Sequence, residues 1–106
     1  MNAFKRLTVL GLALVLAVPT ISFAQASGAA TFKAKCAMCH GADGSASTGM
    51  GKSLGLKPLS SPEVQNMSDA DLTALITDGK GKMPAYKGKL SDADIAAVVK
   101  YIRTLK

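Results

Sequence analysis

From Ser27 to the end of the chain only three aromatic side chains occur, Phe32, Tyr86 and Tyr101, and there is no tryptophan. A small domain needs large buried side chains to offset the entropy of ordering its backbone, and a chain this poor in rings calls for a staple such as a disulfide, a metal or a bound group. That shortage limits the available folds more than any other property of the sequence. The same stretch holds a single cluster able to make strong bonds, Cys36-Ala37-Met38-Cys39-His40.

The N-terminal residues are best set apart from the fold. Lys5 and Arg6 precede an apolar run from Leu7 to Val18, and small residues follow, which are the three parts of an export signal. The run holds twelve residues, whereas a membrane-spanning helix needs roughly twenty, and Pro19 discourages continuation. Cleavage after Ala24 or after Ala26 satisfies the small-residue rule, and Ala26 is preferred. A lipoprotein would need a cysteine at the cleavage point, and the nearest is Cys36. The expectation is a cleaved secretory signal over 1–26, one domain over 27–106, a periplasmic (extracytoplasmic) location and no stable membrane insertion.

After Ala26 the chain carries eleven Lys and Arg against seven Asp and Glu. It is basic, but its lysines lie in scattered pairs and lack the interleaved aromatics of a nucleic-acid face, so nucleic-acid binding is not expected.

No segment shows the period-two alternation of a half-buried strand, and three segments read as helices, so the class is all-α. In the last, Ile95, Val98, Val99, Ile102 and Leu105 fall on one face. Ser91-Asp92-Ala93-Asp94-Ile95 repeats the pattern of Ser68-Asp69-Ala70-Asp71-Leu72, and Leu90 and Met67 stand just before each serine as hydrophobic staples. The aspartates read as helix-start residues, not catalysts. The middle helix carries Leu72, Leu75 and Ile76 and ends at Gly79, expected in the left-handed conformation. The first helix is expected from about Ser27 through His40, with Phe32, Cys36 and Cys39 on one face. Between His40 and Pro58 lie five glycines, a composition read as loop without regular structure. Ser61-Pro62-Glu63 offers a further short turn.

Cys-x-x-Cys-His is the signature of covalent attachment of a c-type haem. Thiols three apart on a helix lie side by side and can form thioethers with the two vinyl groups of a porphyrin, and His40, the sole histidine, is then delivered to the iron as proximal ligand. Three plainer readings are weaker. A disulfide over so short a loop removes little unfolded-state entropy, a thioredoxin-like pair belongs near a βαβ unit, and a structural zinc needs four ligands.

A second axial ligand must come from another segment, and a soft donor suits an iron that shuttles electrons. Four methionines follow Ala26. Met38 lies within the attachment motif and Met67 is committed to a staple. Met83 precedes Pro84, which biases it toward extended backbone, while Met50 sits in the glycine-rich stretch without that restraint. Met83 is the preferred ligand. The competing reading makes it a core filler, leaving a five-coordinate iron.

Cys36 to His40, Gly81-Lys82-Met83-Pro84-Ala85-Tyr86, Leu90-Ser91-Asp92 and Tyr101-Ile102-Arg103, in that order, resemble the small bacterial class I c-type cytochromes, and the resemblance covers residues 27–106. It implies three main helices wrapped around one haem c, and a crossing of first and last helices in which Gly28, Phe32 and Tyr101 match the family's glycine and aromatic pair. It also implies that a backbone carbonyl, here Pro58's, accepts the other ring proton of His40. The lack of tryptophan departs from relatives that use one to bind a haem propionate.

With His40 and Met83 both on the iron no coordination position stays open, so the expected role is one-electron transfer, not catalysis. Lys80, Lys82, Lys87 and Lys89 bracket Met83 and are read as steering a transient acidic redox partner toward a monomeric carrier. The alternatives are a simply solvated lysine loop, a haem subunit docked in an oxidase or dehydrogenase, and a peroxidase or gas-binding protein if Met83 is off the iron.

Overall fold

The computed structural model describes residues 11–18 and 23–106. Residues 1–10 and 19–22 of the expected signal segment lie outside the described residues. Residues 11–18 carry no regular structure and expose their apolar side chains, Leu12 being 90% accessible.

Six helices follow, and no named strand occurs among the described residues. The long ones are α1 (Phe23–Lys35), α5 (Asp69–Asp78) and α6 (Asp92–Arg103). The short ones are α2 (Ala37–His40), α3 (Gly49–Leu54) and α4 (Pro62–Gln65). The all-α expectation with three main helices therefore holds.

Both repeated helix starts form as expected. Ser68 Oγ accepts from the Asp71 N–H at 3.0 Å and Ser91 Oγ from the Asp94 N–H at 3.1 Å, each satisfying one N–H that a helix start leaves free. Met67 and Leu90 pack against the core as staples do.

The core joins one face of α6 to α1, α5 and the segment before α4: Ile95, Val98, Val99 and Ile102 meet Phe32, Leu59, Leu72 and Ile76. Each such side chain contributes roughly 1.5–3 kcal/mol on full burial. The largest helix contact is α1 on α6, and Gly28 makes it possible. A Cβ there would stand 2.2 Å from the Ala97 carbonyl oxygen. Phe32 stacks on Tyr101 one turn further along, ring centroids 5.1 Å apart and tilted by 54°. The crossing expected of Gly28, Phe32 and Tyr101 is thus present.

Arg103 and Gln65 close the base of this core. Gln65 Nε2 donates to the carbonyls of Leu59 (2.8 Å) and Ile102 (3.1 Å). Arg103 donates to the Gln65 carbonyl (2.9 Å), the Met67 carbonyl and the Asp69 carboxylate (2.9 Å). Carbonyls freed at the end of α4 are thereby paired, as buried backbone requires.

Three expectations need correction. The first helix does not run unbroken from Ser27 to His40; it begins at Phe23 and breaks at Cys36, where φ is −116° and ψ is −28°. The glycine-rich stretch is not wholly irregular, because Thr48 caps α3: its Oγ1 accepts from the Gly51 N–H at 2.9 Å and donates to the Cys39 carbonyl at 2.9 Å. Gly79 ends α5 with φ 74° but ψ 172°, outside the left-handed helical well.

Candidate functional site

The site begins at the break between α1 and α2. In an unbroken helix the Cys39 N–H would bond the Lys35 carbonyl. Here the Cys36 carbonyl takes both the Cys39 and the His40 N–H, at 3.3 and 3.0 Å, and Lys35's carbonyl leaves the helical ladder. Beyond the motif the His40 carbonyl accepts from Ala46 at 2.8 Å, so α2 is fastened to the loop that leads into α3.

Both cysteines are free thiols, partly buried. Burial, with a smaller push from the Cys39 thiol, raises the Cys36 pKa to about 11. A thiol held protonated is a poor redox nucleophile, which argues against a thioredoxin-like pair. Among the described residues no group of three or more His, Cys, Asp or Glu is placed so as to hold a metal ion by itself.

His40 is held neutral, since burial lowers its pKa. Its Nδ1 is buried without a hydrogen-bond partner. The expected bond to the Pro58 carbonyl is absent; that carbonyl accepts from the Ser61 N–H at 3.0 Å and closes the turn into α4.

Met83 reaches the site on a loop built by the end of α5. Lys80 and Met83 exchange backbone hydrogen bonds of 3.1 and 2.9 Å, making a tight turn that ends in Pro84. Gly79 lies against this turn so closely that a Cβ would be 2.7 Å from the Met83 carbonyl oxygen and 2.8 Å from the Ala85 nitrogen. Only glycine combines that approach with a positive φ. Tyr86 then returns the chain to α5 through its N–H to the Ile76 carbonyl, 3.1 Å, and sends its hydroxyl to the Lys35 carbonyl, 2.8 Å. Burial, with lesser contributions from the Cys36 and Cys39 thiols, raises the Tyr86 pKa, keeping the hydroxyl a donor.

Two adjoining cavities lie between these segments. The inner, about 210 Å³, is walled by core residues including Phe32, Leu72, Ile76, Val98 and Ile102. The outer, about 380 Å³, lies between the Cys36–His40 segment and Lys80, Lys82, Met83, Pro84 and Tyr86. Cys36, His40, Leu56 and Met83 line both.

The expected donors Cys36, His40 and Met83 are therefore brought together, with Cys39 on the outer wall. Met67 lines only the inner cavity, Met38 is 78% exposed at the outer rim, and Met50 lines neither. Two thiols, a neutral imidazole with an unpartnered buried nitrogen, and a thioether around an apolar hollow fit a covalently held haem. Sequence reasoning did not single out the Tyr86 hydroxyl, the Thr48 cap or the close approach at Gly79. A threonine three residues before Gly51, at Thr48, was the available signal for the cap; the other two depend on partners outside their own segment.

Residues 23–102 match the family described as cytochrome c oxidase, cbb3-type, subunit III. The chain is 39% identical to cytochrome c6 of Picosynechococcus over 101 residues, covering 91% of this chain and 86% of that one. It is 33% identical over 88 residues to the cbb3-type cytochrome c oxidase subunit CcoP of Azospirillum brasilense, covering 81% of this chain but 30% of that longer protein. The KustC0563 c-type cytochrome superposes with a TM-score of 0.69 at 31% identity, covering 74% of this chain and 96% of that one.

Proposed function

This chain belongs to the small class I c-type cytochromes, monohaem electron carriers whose haem c is covalently attached, and from that premise we propose which residues hold the haem here. Cys36 and Cys39 would form the thioethers to the haem, and His40 and Met83 would hold its iron. The observation that carries this assignment is that Cys36, His40 and Met83 line both halves of one divided hollow.

Haem c bound there supplies a single site that cycles between Fe(III) and Fe(II). The chain's residues set the terms. His40 presents a neutral imidazole because burial disfavours its charged form. Met83 offers a soft sulfur that, bound to the iron, would favour the reduced state and raise the potential, and with His40 and Met83 both on the metal a substrate would find no open position there. Phe32, Leu72, Ile76, Val98 and Ile102 exclude water from the inner wall.

The distal side carries the partner surface. Lys80, Lys82, Lys87 and Lys89 are exposed, and the first two stand on the outer cavity wall. They steer an acidic redox partner, so the electron-transfer rate falls as salt screens the charges. A rate indifferent to ionic strength would remove this role. The carrier works as a monomer in the periplasm, delivered by a signal peptide over residues 1–26. That reading is supported by the apolar side chains that residues 11–18 leave exposed.

The deciding experiment is the absorption spectrum of the exported protein, once a denaturing gel has shown haem bound to the polypeptide. A weak far-red sulfur-to-iron band in the ferric form that vanishes in Met83→Ala supports the assignment. Its absence in the unaltered protein, with ready carbon monoxide binding by the ferrous form, would point to a ligand-binding or peroxidase role. The match to the oxidase subunit family favours a second reading, a haem domain docked in a larger complex. Co-purification with an oxidase from native membranes would support it.

A further inference from the structure

The break at Cys36 leaves the Lys35 carbonyl outside the helical ladder, and a carbonyl at a helix end needs a donor. That donor comes from fifty-one positions away: the Tyr86 hydroxyl, at 2.8 Å. Lys35 immediately precedes the first attachment cysteine, and Tyr86 stands three residues after Met83. One hydrogen bond thus ties the two segments that face each other across the outer cavity, both of which line it. The rest of Tyr86 is committed as well, its ring against the core and its N–H on Ile76, so the hydroxyl is aimed by a fixed side chain.

We infer that Tyr86 is a positioning residue, a latch whose hydroxyl holds the Met83 loop closed against the attachment segment and so governs how readily Met83 leaves the iron. This rests on Met83 being the distal ligand. With the latch in place, the 79–86 loop moves away only by exchanging the bond to Lys35 for one to solvent. Without it, the loop is held by Gly79, the Lys80–Met83 turn and the backbone bonds of Tyr86 and Lys87 to Ile76 and Thr77, all of which anchor it to α5 and none to the attachment segment.

The test uses the holoprotein and two single-hydroxyl deletions. Tyr86→Phe removes the latch while the ring keeps its packing. Tyr101→Phe removes a hydroxyl that reaches the Ala42 carbonyl at 3.5 Å, outside the Met83 loop. Two readouts are followed: the pH at which the far-red ferric band disappears, and carbon monoxide binding by the ferrous protein at neutral pH. Loss of one net hydrogen bond should raise the Met83-dissociated fraction about fivefold in Tyr86→Phe, moving the band's disappearance down by about 0.7 pH unit and speeding carbon monoxide binding about as much. Tyr101→Phe should move neither. Equal changes in the two variants would mean general loosening and overturn the latch. An unchanged Tyr86→Phe, with the band present in the parent protein, would also overturn it while leaving Met83 as ligand. A parent protein without the band would sink the ligand assignment, and the latch with it.

Discussion

The two sides of α1 are built on opposite plans. Toward α6 the backbones touch at Gly28, and Phe32, Ile95 and Val98 are essentially inaccessible. Toward Met83 the same helix ends in a break, and its neighbours surround a hollow where His40 keeps an unpartnered nitrogen. The Gly28–Ala97 contact is closed by protein atoms alone, while Phe32 and Val98 pass from it to the wall of the inner cavity. The Met83 side is finished by a cofactor, which stands in for the aromatic side chains that the composition lacks.

That contrast can be broken most severely by preventing attachment. Without a bound group, the core side chains Phe32, Leu72, Ile76, Val98 and Ile102 that wall the inner cavity lose packing partners on that side, a loss that a marginally stable small domain is poorly placed to absorb. Cys36→Ser with Cys39→Ser should therefore leave a chain without gel-stable haem and with most of its helical circular dichroism lost. Retention of a full helical spectrum would mean that the α1–α6 side can stand by itself.

A smaller effect is expected on the closed side. Gly28→Ala places a methyl group inside the Ala97 carbonyl, and the overpacking should cost about 3 kcal/mol, read as a lowered urea midpoint with the far-red band intact in the folded fraction. Gly49→Ala, whose added Cβ meets nothing within 4 Å, should be neutral. The smallest effect is kinetic. Lys80→Glu with Lys82→Glu should slow transfer to an acidic partner by up to roughly tenfold at low salt. Lys100→Glu on exposed α6, away from both cavities, should leave the rate unchanged, and equal slowing by both would detach the steering surface from the open side.

Legibility in the sequence followed the range of the interaction. The starts of α5 and α6 were readable because a serine, its capped N–H and its staple lie within five positions. That Cys36, His40 and Met83 would meet was readable in part: the first two are neighbours in sequence, and the proline after Met83 sets that residue on a turn that faces the same hollow. The break at Cys36 carries no glycine or proline, so helical periodicity ran straight through it. Helix α3 was hidden because Gly49 and Gly51 inside it, with Gly55 at its end, outweighed the Thr48 cap in any reading by propensity. The missing Pro58–His40 bond came from the resemblance, and the structure instead spends that carbonyl on Ser61.

The tightest packing in the molecule joins its first helix to its last. During synthesis that contact has no partner until α6 has been made, while Cys36 to His40 directly follow α1 and are exposed to their surroundings from early on. The order of elements along the chain therefore keeps both thiols within reach of whatever modifies them throughout the time the molecule stays open, and closure of the terminal pair marks the end of that interval. A rearranged chain placing α6 beside α1 in sequence would shorten the interval and compete with its own maturation.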